Sequence, residues 1–176
     1  MFKDFDTSSF KKMKPPVDSG YTTRTEINEL KKIPLNKSFV KKNDNIEAAF
    51  KKTAEDNNIK DYDKNIAAKL IKDSAPVILE LKKYHNRPRP YELDKNLKSF
   101  KMKSMETASY PSGHSVQGIL IAKVLGDKHP KAKSAFAKTG QNISYSRRVA
   151  RAHYKSDSKM GEELGNSMYK HIKNKI

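Results

Sequence analysis

The chain has 176 residues, 35% of them hydrophobic and 32% charged, with 37 Lys and Arg against 20 Asp and Glu and no cysteine. That length and apolar content suit one domain with a real core and exclude a disordered chain, while the lack of Cys excludes a disulfide framework and a thiolate metal site. A formal charge of +17 invites anionic partners, but the lysines are spread along the chain. There is no basic stripe interleaved with aromatics, no zinc-finger spacing and no RNA-binding signature, which argues against nucleic acid.

Residues 1–20 carry Pro15, Pro16 and Gly20 without periodicity, and the expectation is an irregular arm draped on the surface. Thr23 and Glu26 have capping-box spacing, predicting a short helix that reaches Leu30 and stops at Pro34. Asn43 or Asp44 is placed to cap a helix with Ile46, Ala49, Phe50 and Ala54 on one face. Tyr62, Ile66, Leu70 and Ile71 begin the next stripe, which continues through Val77, Ile78 and Leu81 past a kink at Pro76. Residues 85–110 hold two prolines, Pro88 and Pro90, and little periodicity, and read as a long loop of the kind that is functional or disordered.

Three helices follow Pro111. The first carries Val116, Ile119, Leu120 and Val124, and the second runs from near Pro130 to about Ala150. The third, opened by Ser156, has Met160, Leu164, Met168 and Ile172 four apart, with Gly161 and Gly165 beside that stripe to admit a close neighbour. Strand alternation is nearly absent, so the fold class is all-α: a helical bundle in one domain over 41–176, preceded by an arm with a short helix over 1–40. The apolar runs "PVILEL" and "GILIAKVL" are too short to span a bilayer, and the N-terminus lacks the apolar core of a secretory signal, so the expectation is a cytoplasmic protein.

Of six arginines, five fall in two short segments, "KKYHNRPRP" and "SRRVARAHYKSD". Lys82 and Arg89 from the first and Arg147 from the second could converge on one tetrahedral dianion, because a guanidinium binds two phosphate oxygens at once. Between them, "PSGH" puts Ser112, Gly113 and His114 where a loop becomes a helix, whose first N–H groups form an anion site. Arg147 and His153 are six apart and share a site only if the helix ends between them, near Ala150 to Ala152. Asp157, in the first turn of the next helix, could then accept the His153 Nδ1 proton and leave Nε2 free as a nucleophile. Each piece alone has a plainer reading: a helix cap for Asp157, a solvated turn for Arg-x-Arg, a structural histidine for His153. Together they fill eleven positions in order and spacing.

That combination, Lys-x6-Arg-Pro, Pro-Ser-Gly-His and Ser-Arg-x5-His-x3-Asp, resembles the superfamily of type 2 phosphatidic acid phosphatases, class A non-specific acid phosphatases and vanadium-dependent haloperoxidases. The context "SYPSGHS" and the short distances between motifs are most similar to the soluble class A enzymes. The resemblance covers roughly 80–172, is compatible with 43–80 and does not extend to 1–40. It implies that Lys82, Arg89, Ser112, Gly113 and Arg147 bind phosphate, that His153 attacks phosphorus and that His114 protonates the leaving alcohol. It further implies that Asp157 orients His153 and that no metal or cofactor is needed, with phosphate or vanadate able to occupy the site.

The activity expected is hydrolysis of phosphomonoesters, extending to lipid phosphates or diphosphates. Two alternatives stand beside it: a vanadium haloperoxidase-like oxidoreductase, and a basic nucleic-acid-binding protein that has kept the fold. The partner expected is a small phosphorylated molecule, with peripheral contact to an anionic membrane and homo-oligomers left open. Arg87, Arg148 and Arg151 lie outside the signature and read either as a basic rim for polyanionic substrates or as solvated side chains.

Overall fold

The computed structural model describes residues 1–175, and among them there is no strand. In chain order the helices are α1 (Ser8–Lys12), α2 (Tyr21–Lys32), α3 (Lys37–Asp44), α4 (Ile46–Asp56) and α5 (Lys64–His85). They continue with α6 (Pro90–Leu93), α7 (Gly113–Lys128), α8 (Lys133–Val149) and α9 (Lys155–Ile172). The all-α expectation therefore holds.

The stretch "VQGILIAKVL" in α7 is apolar on nearly every side, and such a helix must be surrounded. Val116, Leu120, Ile121 and Leu125 are fully buried, with α8 and α9 packed along α7 and α5 against another flank. The Met160, Leu164, Met168 and Ile172 stripe of α9 faces this core, as its spacing predicts. The two glycines beside the stripe set the approach. A Cβ on Gly161 would lie 2.6 Å from the Ser112 carbonyl oxygen, and one on Gly165 would lie 2.6 Å from that of Val116. No side chain fits there, so the start of α9 is held against the start of α7.

Several local expectations change. Residues 1–20 are not merely draped on the surface: Phe2 and Phe10, the latter on α1, are buried in the main core, and the Tyr110 hydroxyl donates to the Met13 carbonyl at 2.8 Å. Thr23 and Glu26 form no capping box. α2 begins earlier, capped by Gly20, and the Thr23 hydroxyl donates instead to the Val17 carbonyl at 2.7 Å. The cap of α4 is neither Asn43 nor Asp44 but Asn45, whose side chain accepts the Ala48 N–H at 3.0 Å. Asn43 and Asp44 belong instead to α3, whose short "KSFVKKND" pattern was too brief to announce itself. Pro76 lies inside α5 without ending it. Residues 86–112 are largely irregular as expected, broken by α6 and by a 3-10 turn at Lys103–Glu106.

The helix break demanded by the six-residue spacing is present. α8 ends at Val149, and Arg151 takes a left-handed φ of 57° that turns the chain into α9. A non-glycine residue pays about 1 kcal/mol or more for that conformation. The Arg151 guanidinium offsets it with hydrogen bonds to the carbonyls of Lys31, Ile33 and Lys98, tying α2 and the long loop to this corner. Arg151 is thus half-buried, with its guanidinium turned to the protein's own carbonyls.

Candidate active site

His153 sits in the turn after α8 and is 2% exposed. Its Nδ1 lies 3.1 Å from Asp157 Oδ2, and its Nε2 lies 3.0 Å from Arg89 NH1. A carboxylate can only accept and a guanidinium can only donate, so the proton is on Nδ1 and the Nε2 lone pair faces Arg89. Burial, then the charges of Arg89, Lys82 and Arg147, hold the imidazole well below its usual pKa. The ring is neutral at physiological pH.

Asp157 is the third residue of α9 and takes both of the roles its position allowed. Oδ2 accepts the Tyr154 N–H at 3.1 Å, capping the helix, and also accepts from the Ser109 hydroxyl and His153. Oδ1 accepts from Arg87 NH1 at 2.7 Å. Burial pushes its pKa up to about 6, while Arg87 and the Ser109 hydrogen bond pull it down. With four donors, one of them the Arg87 guanidinium, the carboxylate is ionised at neutral pH.

The three expected cations gather around this pair. Arg89, at the start of α6, donates to the carbonyls of Ala152, Thr107 and Ser104 at 2.9–3.0 Å. Arg147, on the last turn of α8, donates to Asp44 Oδ1 at 2.9 Å and to the Ser104 hydroxyl at 2.8 Å, and its Nε is buried without a partner. Lys82, on the last turn of α5, donates to the Ala108 carbonyl. Its pKa falls to about 7, first through burial and then through repulsion from Arg89 and Arg147. Guanidiniums and an ammonium this deeply buried form a concentrated positive field whose natural complement is a compact polyanion.

Ser112 caps α7, accepting the Ser115 hydroxyl at 2.9 Å, and its own N–H is committed to the Asp157 carbonyl at 3.1 Å. The amides of Gly113 and His114 open α7, where no intrahelical acceptor exists. His114 donates Nε2–H to the Asp44 carbonyl at 2.9 Å, with Asp44 Oδ1 at 3.4 Å, and so presents Nδ1 on its other side. Its pKa is lowered by burial and by Arg147, against the pull of Asp44. All eight expected site residues therefore lie in one cluster.

Three further residues join it without having been read as part of it. Asp44 binds both His114 and Arg147. Arg87 is 2% exposed and paired to Asp157, so it is neither a rim residue nor solvated. Ser109 binds Asp157 and its backbone N–H donates to the Arg87 carbonyl at 2.8 Å. Of the three, Arg87 stands out in the sequence only as a rim or solvated residue outside the signature. Segment 102–108 closes the cluster, supplying the acceptors for Lys82, Arg89 and Arg147 and the Met102 sulfur 3.5 Å from Arg147. Clefts of about 380 and 620 Å³ flank this segment, the first beside Arg87, Pro88 and Thr107 and the second beside Tyr91, Lys98 and Met102.

The motif arrangement resembles that of the type 2 phosphatidic acid phosphatase (PAP2) superfamily, and the fold is similar to that of a solved PAP2-type phosphatase. No family model matches the chain. Non-specific acid phosphatases of Salmonella typhimurium and Salmonella typhi are 35% and 34% identical over 88 residues, covering 48% of this chain and 35% of each relative. The chain thus matches about a third of the length of those relatives. The crystal structure of the first transmembrane PAP2-type phosphatidylglycerolphosphate phosphatase from Bacillus subtilis superposes with a TM-score of 0.61 at 16% identity, over 99% of this chain and 96% of that one. The resemblance read from the motifs is borne out by this distant sequence similarity and this shared fold. Among the described residues, no helix of the present chain is long and apolar enough to cross a membrane.

Proposed function

We propose that the protein is a phosphomonoester hydrolase that works through a phosphohistidine on His153 and draws its positive charge from side chains. What supports this reading above all is the His153 ring: neutral, proton fixed on Nδ1 by Asp157, and Nε2 directed at Arg89 in the middle of the cation cluster. A phosphoryl group entering the cluster exchanges the Ser104, Thr107 and Ala108 acceptors for its own oxygens. Arg89, Arg147 and Lys82 then hold the equatorial oxygens, with the Gly113 amide at the α7 N-terminus and the Ser112 hydroxyl beside them.

The Nε2 lone pair forms a bond to phosphorus as the bond to the leaving oxygen breaks. His114, protonated on both nitrogens in the reactive form, supplies the proton to that oxygen from Nδ1 and becomes neutral, its Nε2–H being held by Asp44. The ring left on His153 is an imidazolium that keeps Nδ1–H against Asp157. Neutral His114 then takes a proton from water, which displaces the phosphoryl group and restores the starting state. Release of phosphate across a panel of phosphomonoesters, with a labelled alkali-stable phosphoenzyme trapped by rapid quench, tests the reading. A panel without turnover would sink it.

His114→Ala separates the acid from the nucleophile. An alkyl phosphate, whose leaving alkoxide needs a proton, should lose kcat by about 10²–10⁴-fold, while an activated aryl phosphate should lose far less. Equal losses on the two substrates would take His114 out of that role.

Lys82 sets a pH limb. Its pKa is lowered to about 7, so it is charged below that pH and neutral above it. Phosphate affinity is therefore present on the acid side and lost as pH rises through about 7. With an aryl phosphate, which makes little demand on His114, kcat/KM should fall above that point. Lys82→Arg stays charged and should remove the limb, so an unchanged limb in that variant would assign it elsewhere.

A further inference from the structure

Arg87 lies beside the phosphate cradle but outside it, and its charge has to be balanced within the protein. Its NH1 donates to Asp157 Oδ1 and to the Ser156 hydroxyl, both at 2.7 Å, and its guanidinium lies 3.7 Å from the Tyr154 ring centroid. A carboxylate that alone neutralises a buried guanidinium has little charge left for a second cation. Asp157 faces that demand twice over: from Arg87 at all times, and from the His153 ring once it carries a phosphoryl group.

A second carboxylate is present. Glu26, on α2, brings Oε2 to 3.4 Å from Arg87 NH2 and has a side chain only 9% exposed. It is anchored at both oxygens: Oε1 accepts the Ser156 N–H at 2.7 Å, and Oε2 accepts the Ser156 hydroxyl at 2.7 Å. Ser156 is the second residue of α9, so Glu26 satisfies an orphan N–H of that helix one residue before Asp157. α2, which carries no motif residue, is thus joined to the catalytic corner through both charge and geometry.

We propose that Glu26 is a positioning residue for the His153–Asp157 pair, neutralising Arg87 so that the Asp157 charge remains available to the phosphorylated ring. The proposal rests on the phosphohistidine reading above. Arg87, Asp157 and Glu26 together sum to one negative charge, and the imidazolium that forms on His153 cancels it. Without Glu26 the same group sums to zero, and the imidazolium becomes an uncompensated charge beside Lys82, Arg89 and Arg147. Lys155 and Lys159 border the same surface cleft as Glu26 but are exposed, so solvent screens them.

The test uses the full chain in quenched-flow with a labelled aryl phosphate, comparing wild type, His153→Ala, Glu26→Gln and Glu26→Asp. Gln keeps an acceptor for the Ser156 amide but loses the charge together with the Oε2 acceptor of the Ser156 hydroxyl, whereas Asp keeps the charge. A wild-type phosphoenzyme that is missing from His153→Ala establishes the underlying reading, and its absence from wild type would overturn that reading and this proposal together. Given that phosphoenzyme, Glu26→Gln should form it about 10–100-fold more slowly, the usual cost of losing a group that orients a catalytic one. Inhibition by inorganic phosphate should change less than about threefold, because the cradle cations are untouched. Glu26→Asp should recover most of the rate. Phosphorylation of Glu26→Gln within twofold of the wild-type rate, or an Asp variant no faster than the Gln variant, would overturn the proposal.

Discussion

His153→Ala is expected to lower kcat by about 10⁴-fold or more and to abolish the phosphoenzyme, leaving a folded protein. The loss follows from removing the imidazole lone pair directed into the cation cluster. The folding half of the expectation follows from what the ring leaves behind. Asp157 Oδ2 keeps the Ser109 hydroxyl and the Tyr154 N–H, and Arg89 keeps the carbonyls of Ala152, Thr107 and Ser104. No buried charge is orphaned, since the ring is itself neutral. The remaining cost is that of a small cavity, and Tm should fall by about 2–4 °C for each kcal/mol of it. Asp157→Ala is a poorer probe because it strips the α9 cap and the Arg87 partner at once, so lost activity would be confounded with lost structure. Turnover in His153→Ala within a hundredfold of wild type would remove the ring from the nucleophile's position.

How much of this was readable beforehand depends on where each residue finds its partners. The stripes of α7 and α9 repeat within one helix, so periodicity alone located them, and the two glycines of α9 announced a close approach that the Ser112 and Val116 carbonyls now occupy. The break between Arg147 and His153 was equally legible, because six residues cannot bring both to one face of a continuous helix. The motif residues were legible as a set, each being ambiguous alone.

Glu26, Asp44 and Arg87 were not, and the reason is distance along the chain. Arg87 reaches Glu26 across 61 positions and Asp157 across 70, and Asp44 reaches Arg147 across 103. A carboxylate serving a remote partner looks in sequence like any local cap. Thr23 and Glu26 showed the spacing of a capping box while their side chains were committed to Val17 and Ser156. The N-terminal arm was misjudged for a related reason. α1 has five residues, too few for a periodic signal, and its burial rests on the single side chain Phe10.

Orthovanadate is expected to bind at least about 10²-fold more tightly than phosphate and to inhibit competitively, because it adopts the five-coordinate geometry of in-line attack. Its apical bond should form to His153 Nε2, so a crystal of the complex should show continuous density between that nitrogen and vanadium. For this to happen the contacts that segment 102–108 makes with Arg89, Arg147 and Lys82 must be exchanged for equatorial oxygens, and Ser104 must leave Arg147 NH2. Tight binding is therefore measured net of that exchange, and Ser104→Gly, which removes one competing acceptor, should bind vanadate no more weakly than wild type. His114 should face the apical oxygen opposite His153, with Asp44 still holding its Nε2. Chelation by EDTA should leave activity unchanged, since Lys82, Arg89 and Arg147 meet the charge that a metal ion would otherwise meet. Vanadate found away from His153, or activity destroyed by EDTA and restored by a divalent cation, would show that the buried cations serve a different anion and that the histidine mechanism is wrong.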